Sequence, residues 1–527
     1  MVLKTQYVVL WCVLLTFFYG CQLKGKDKKV DFLDNPELST QRKIALLLHR
    51  GHPKLPITYD DRMKLYKYYK TTDFKPFFID SSQVEVHQNW SKTIEKSEYF
   101  GIPNNRIKYN KNSHHIIEEI MLTYQIGAMI HDLDHGFIRL DTALYKTPIW
   151  EKIPQNWLTA NANSDSLFLS RGPLDTNYRY FSSHLYHYRD TVRLDTLTFK
   201  VTDEKKDKKR AWKEVKLALN GLGLINAATD STNIRLALKN YQRSKGLNPD
   251  GKIGPSTILA FATSKRISFD LAMLELDRLR QKEELPATFV QVNIPSFTLK
   301  YINDNKLCAT HRVIVGKVNH QTPTLKSKIT HIISLPYWKV PSSIAKHEIL
   351  PALKRNPNYL ANQNMRIFKS KDQEVDPSSV NWKNIKTNTF PYQVIQDPGQ
   401  KNSLGLVKFV FSNNFSVYIH DTPSRSLFNQ QFRSFSHGCM RADKPIDLAK
   451  TILELDKVGN RKNRVDPDSL QVLLDEEVHQ QISLQRAIPV FVTYRSVICD
   501  QNGLYFYLDL YEKEAAYLKL LGSRNNG

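Results

Sequence analysis

The chain has 527 residues, 41% of them hydrophobic and 11% aromatic, and a formal net charge of +23. That length exceeds one ordinary core, so several domains are expected, and the composition excludes a disordered chain. The charge favours anionic partners, although its densest runs, "KGKDKK" and "EKKDKKR", read as solvated lysine in linkers.

The chain opens on "MVLKTQYVVLWCVLLTFFYGCQLKGKDKK". Its apolar run, Val8 to Phe18, is shorter than the roughly 20 residues a membrane span needs, so it predicts an export signal over 1–21. Gly20-Cys21 at the end of that run resembles a bacterial lipoprotein processing site, which would make Cys21 the lipidated first residue; Phe18-Tyr19 depart from that pattern. The alternative is plain cleavage with an incidental cysteine. A lysine-rich linker (22–34) follows. Three of the five cysteines, Cys308, Cys439 and Cys499, belong to the exported body. An odd number in an oxidising compartment excludes a pure disulfide framework and leaves a free thiol to explain. Cys308 and Cys499 lie in apolar, strand-like surroundings and are expected as small core residues. Cys439 lies in a polar Ser-His-Gly context suited to a reactive thiol.

Residues 35–202 are expected as a helical scaffold, with amphipathic runs such as "HHIIEEIMLTYQIGAMIHDLDHGF". Within it His131, Asp132, Asp134 and His135 are spaced like a divalent-metal motif, with His114 and His115 upstream. The better reading is a helix end capped by Gly136, without metal. Residues 211–263 read as a compact helical unit. Ile234, Ala237, Leu238 and Tyr241 share one helix face, Asp250-Gly251 makes a turn, and Gly254-Pro255 opens a new helix. Tyr241, Gln242, Gly246, Leu247, Asp250, Gly251, Gly254 and Thr257 resemble the signature of the peptidoglycan-binding repeat, a three-helix module. Wall binding follows from that resemblance, since the signature residues themselves read as packing and turn positions.

From about Pro286 the periodicity changes to two. Val290, Val292 and Ile294, then Phe297, Leu299 and Tyr301 across a proline, alternate as half-buried strands do. A β domain is expected over 286–496, with "VPSSIAKHEILPALKRNPNYLANQNM" as helix and loop in an inserted lid at about 336–390. Asn502-Gly503 predicts a hairpin in a C-terminal hairpin and helix over 497–527.

The chemistry concentrates in "SFSHGCMRADKP", Ser434 to Pro445. A cysteine nucleophile needs a base and oxyanion donors. His420 ends an alternating strand 19 positions before Cys439. His420 with Ser436-His437-Gly438-Cys439-Met440-Arg441 resembles the catalytic motif of L,D-transpeptidases, which crosslink peptidoglycan through a cysteine. "VNIPSFTLKY", "IVGKVNHQTPTLKSKI", "LPYWKVPSSIAKHEILP" and "PGQKNSLGLVKFVF" extend the resemblance to the large scaffold-bearing enzymes of Gram-negative bacteria. The expected fold is therefore multidomain α+β: helical scaffold, three-helix peptidoglycan-binding module, and mainly β catalytic domain with a helical lid.

The resemblance implies roles. Cys439 attacks a stem-peptide carbonyl and His420 is the base. Gly438 and Cys439 supply oxyanion N–H groups, His437 lines that hole and Ser436 orients it. Arg441 is expected to pair a substrate carboxylate, and Tyr337 and Trp338 to support the lid or to be ordinary aromatic core. No cofactor or metal is expected. The expected partners are peptidoglycan stems, as donor and acceptor, and a membrane through the N-terminal lipid, but not nucleic acid. The expected place is the periplasm of a Gram-negative bacterium. Two other readings use the same sequence: an L,D-carboxypeptidase, in which water replaces the acceptor amine, and a wall-anchoring protein with an idle catalytic domain.

Overall fold

The computed structural model describes residues 31–79, 83–104, 114–138, 149–158, 163–281, 285–370, 373–456 and 466–522. The export signal, Cys21 and most of the lysine-rich linker lie outside the described residues. Among the described residues no helix is long and apolar enough to cross a membrane.

Two compact units share the chain. The first comprises 1–95, 106–132 and 148–168; the second comprises 96–105, 133–147 and 169–527. The division falls inside the expected 35–202 scaffold. The first unit is helical, with Thr40–Arg50, Tyr59–Lys70 and Val84–Glu95. Ser39 and Thr58 cap the first two helices, each accepting a backbone N–H from inside the first turn. Its buried carboxylate, Glu119, accepts from the Tyr69 hydroxyl at 2.7 Å and from the Phe77 and Phe78 N–H groups at 2.8 Å each. These bonds satisfy a group that would otherwise be costly to bury.

In the second unit, residues 169–202 side with the C-terminal part for a packing reason. Phe181 and Leu185 of the helix Thr176–Thr191 bury against Phe269, Met273 and Leu276 of the helix Lys265–Arg280, together with Val497 and Cys499. The small helical unit has its expected helices, Lys208–Gly221, Ser231–Ser244 and Pro255–Phe261. Gln242 is its polar hub. Its amide donates to Asp250 Oδ1, the Lys252 carbonyl and Thr257 Oγ1, each at 3.0 Å, and accepts from the Gly251 N–H at 2.8 Å. The signature glutamine, aspartate, glycine and threonine thus hold one turn together.

The β domain begins with Phe289–Asn293 (β1), Thr298–Asn303 (β2), Lys306–Gly316 (β3) and Leu325–Ser334 (β4). Val290, Val292, Ile294, Phe297, Leu299 and Tyr301 are all buried, as their alternation requires. An insertion follows, carrying Trp338–Lys339 (β5), Met365–Ser370 (β6), Gln373–Val375 (β7) and Gln393–Gln396 (β8) among short helices. It is therefore more than helix and loop: it has a four-stranded sheet, β5-β8-β6-β7, and its own core of Ile349, Leu353, Leu360, Ile367, Trp382 and Val394. The main sheet resumes with Val407–Phe411 (β9), Ile419–His420 (β10), Ser434–Ser436 (β11), Met440–Ala442 (β12) and Gln480–Thr493 (β13).

The strand order is β11-β3-β12-β10-β9-β4-β13-β1-β2, and pairing of β2 with β3 closes it into a ring with β11 outside. The helix Pro445–Leu455 buries Leu448, Ala449, Ile452 and Leu453 in the same core as Ile419 and Met440. Val497–Asp500 (β14) and Gly503–Phe506 (β15) form the hairpin that Asn502-Gly503 predicts. Cys499 is buried, but Cys308 is exposed and departs from its expected core place. The first part of β3 pairs with the end of β2 but is exposed, and Leu307 beside Cys308 is exposed as well.

Two positions at the end of the metal-like run have structural roles. Asp134 accepts from the Arg171 guanidinium and from the Gly172 N–H. Gly136 has φ +75°, as a helix cap requires.

Candidate active site

Two short parallel strands build the site. On β10 and β12, Ile419 faces Met440 and His420 faces Arg441 in register, and Met440 N–H donates to the Tyr418 carbonyl at 3.0 Å. Ile419 and Met440 point into the core. Side chains alternate across a strand, so Tyr418, His420, Cys439 and Arg441 share the opposite face. On its other side His420 faces Lys408 of β9. Lys408, His420 and Arg441 therefore form one row across three strands, with Tyr418 and Cys439 one step along.

His420 is buried. Burial, helped by the positive charges of Arg441 and Lys408, pushes its pKa down to about 3. It is therefore neutral near pH 7 and free to take a proton. Cys439 is half-buried. Burial raises its thiol pKa, opposed by hydrogen bonds from the Tyr418 backbone N–H and hydroxyl and by the charges of Lys408 and Arg441. At rest this face carries a neutral thiol and a neutral imidazole. Tyr418 was not singled out in the sequence. Its hydroxyl meets Cys439 on one side and the Trp338 side chain on the other, and its ring lies edge-on to His420 at 5.4 Å between centroids.

The loop 437–439 is held from below. Ser436 Oγ donates to the Cys439 carbonyl at 2.6 Å and accepts the Gly438 N–H at 3.2 Å. Thr322 Oγ1 donates to the Gly438 carbonyl at 2.8 Å and accepts the Gly316 N–H at 2.9 Å. Tyr511, from the C-terminal segment, donates to the Gly316 carbonyl at 2.7 Å and accepts the Thr322 N–H. Gly438 has φ +115°, a conformation that favours glycine.

Three of the expected site residues have further partners here. Ser436 orients the loop backbone rather than His437, because its hydroxyl is spent on Gly438 and Cys439. The Gly438 N–H is engaged by that same hydroxyl, so it is not a free oxyanion donor in this conformation. His437 is exposed, and its Nε2 lies 2.6 Å from Glu348 Oε1 of the insertion. It therefore faces the insertion. Arg441 does reach the site, with a buried Nε that has no hydrogen-bond partner among the described residues. Tyr337 is exposed and packs edge-on to His479, while Trp338 is half-buried beside Tyr418. A cavity of about 470 Å³ between insertion and sheet is lined by Tyr337, Trp338, Lys339, Lys408, Tyr418 and His479, among others.

Comparison with known families agrees with this architecture. Residues 287–460 match the YkuD family model, described as "L,D-transpeptidase catalytic domain", and residues 208–260 match one described as "Putative peptidoglycan binding domain". The chain thus carries an L,D-transpeptidase catalytic domain and a peptidoglycan-binding domain within a mixed α+β architecture. It is 34% identical over 221 residues to a Haemophilus influenzae protein named "Putative L,D-transpeptidase"; the match covers 42% of this chain and 43% of that protein's length. Among solved structures, an L,D-transpeptidase from Mycobacterium smegmatis is 12% identical, covering 39% of this chain and 58% of that one, with a TM-score of 0.19. A cysteine-to-serine mutant of the Enterococcus faecium L,D-transpeptidase is 13% identical, covering 40% and 50%, also with a TM-score of 0.19. Scores that low bear on neither the fold nor the function of this chain.

Proposed function

We propose that the protein is an L,D-transpeptidase that crosslinks peptidoglycan stem peptides through a thioester on Cys439, with His420 as base. The observation that carries this reading is the shared face of Cys439, Tyr418, His420 and Arg441 within the matched catalytic domain. Cys439 Sγ attacks the carbonyl of the L-centre residue preceding the terminal D-residue. Its proton passes by way of His420 to the departing amine, so the S–C bond forms as the amide C–N bond breaks. An acceptor amine then attacks the thioester, loses a proton to His420, and the thiol is regenerated.

A neutral imidazole suits this cycle, since it must receive the thiol proton before giving it up. The Cys439 N–H remains a candidate donor to the oxyanion. The Gly438 N–H could join it only if its bond to Ser436 opened. Peptidoglycan is the proposed substrate, and the module over 208–260 would keep the enzyme on it. The proposed place is the periplasm, with the chain tethered to a membrane by lipid on Cys21.

The test is mass spectrometry of muropeptides from purified sacculi incubated with wild type and with Cys439→Ser. Crosslinked dimers made by wild type and absent with the serine variant support the reading. Trimmed monomers without dimers would establish the carboxypeptidase instead, and no change in either form would leave a wall-anchoring protein.

A further inference from the structure

Among the described residues, the row beneath the site carries positive charge without an answering carboxylate. Lys408 and Arg441 flank His420 on neighbouring strands. The charged neighbours that act on Lys408 are Cys439 and Lys339, and that on Arg441 is Cys439, with no carboxylate among them. The Lys408 ammonium lies 3.8 Å from the centre of the Tyr418 ring, on the residue that also touches the thiol. Lys339, from the insertion, lines the same cavity of about 470 Å³. A half-buried ammonium without a counter-ion is costly. An aromatic face offsets only part of that cost. A bound anion would offset the rest.

Bond lengths indicate which anion. With the reacting carbonyl over Cys439 and the departing nitrogen at His420, the expelled residue begins at His420. Its carboxylate carbon is two bonds further on, roughly 2.5 Å away. The neighbouring strand, which carries Lys408, is about 4.8 Å from β10.

The geometry points to Lys408, backed by Lys339, as the site that binds the carboxylate of the expelled residue. This rests on the transpeptidase reading and adds to it an anchor for the charge of the expelled residue.

The test uses the full exported chain and two synthetic tetrapeptide stems, one ending in a free carboxylate and one in the carboxamide. Release of the terminal residue gives kcat/KM for each. Charge-assisted hydrogen bonds of this kind predict a preference for the acid of about tenfold or more. Lys408→Met and Lys339→Met should each pull the acid-to-amide ratio toward one, whereas Lys408→Arg should retain most of it. Loss of fold or of thiol reactivity would slow both stems together and leave that ratio unmoved.

Calorimetric binding of both stems to Cys439→Ala, with and without Lys408→Met, separates the two readings. If wild type releases nothing from either stem, yet Cys439→Ala prefers the acid and loses the preference with Lys408→Met, the carboxylate site stands and the transpeptidase reading falls. Equal handling of acid and amide by wild type and by Cys439→Ala overturns the proposal, as does an unchanged ratio in both lysine variants.

Discussion

The state of the resting pair can be tested by its pH dependence. His420 is held at a pKa of about 3 and the Cys439 thiol above its ordinary value. At pH 7 a group titrating near 3 is charged in only about one molecule in ten thousand, and a thiol raised by burial above its ordinary pKa stays mostly protonated. The pair thus starts as thiol and imidazole, and the proton must move during acylation. The assay is peptide-resolved mass spectrometry of iodoacetamide labelling, which separates Cys439 from the exposed Cys308. Between pH 6 and 8 the Cys439 rate should rise about tenfold per unit, with no inflection near the ordinary histidine value of about 6.5. A plateau reached below pH 7 would mean a preformed thiolate–imidazolium pair, and would refute the desolvation argument for both residues.

Other outcomes follow from the same geometry. Carbapenems should add one whole ligand mass at Cys439, because opening the strained lactam forms the thioester without expelling a fragment; adducts on Cys308 or Cys499, or adducts surviving Cys439→Ala, would contradict this. Gly438→Ala should cost about 1–2 kcal/mol by denaturant unfolding, through its φ of +115°, and should slow acylation by shifting the Cys439 N–H. Acid should destabilise the catalytic domain through His420. Its folded pKa lies below its unfolded one, so the unfolded state takes the proton first and stability falls as pH drops from about 6.5 toward 3. At pH 5 that is about 1.5 units, or roughly 2 kcal/mol, to be read as the difference between wild type and His420→Gln. Labelling with a clickable fatty acid should mark wild type and spare Cys21→Ser; unlabelled, soluble protein in both would favour plain signal cleavage.

What the sequence disclosed depended on period and local chemistry. The alternation in "FVQVNIPSFTLKYI" placed six residues whose burial the structure repeats, and the resemblance singled out His420 and Cys439, which the pairing of β10 with β12 puts on one sheet face. The β content of the insertion was hidden because Met365–Ser370 and Gln393–Gln396 are short, half-exposed strands whose partners lie far along the chain. The roles of Ser436, Gly438 and His437 could not be read from "SHGC", since they depend on a reverse of the backbone at Gly438 and on Thr322, Tyr511 and Glu348, all distant in sequence.

Tyr418 and Lys408 are a different matter, because a signal for them was present. In "SVYIHD" Tyr418 is two positions before His420, hence on the same face of one strand, and in "VKFVF" Lys408 is the polar residue between the buried Val407 and Phe409. Period two assigns each to the face opposite the core. It cannot say that β9 lies beside β10, which brings the lysine against the catalytic face. That adjacency comes from pairing across the chain, Ile419 with Phe409 and His420 with Lys408. A cation half-buried beside a base held neutral is a functional arrangement rather than a stabilising one. A nearby ammonium opposes protonation of His420, favours ionisation of Cys439, and is left wanting an anion, and each of these suits the proposed cleavage of a bond next to a carboxylate.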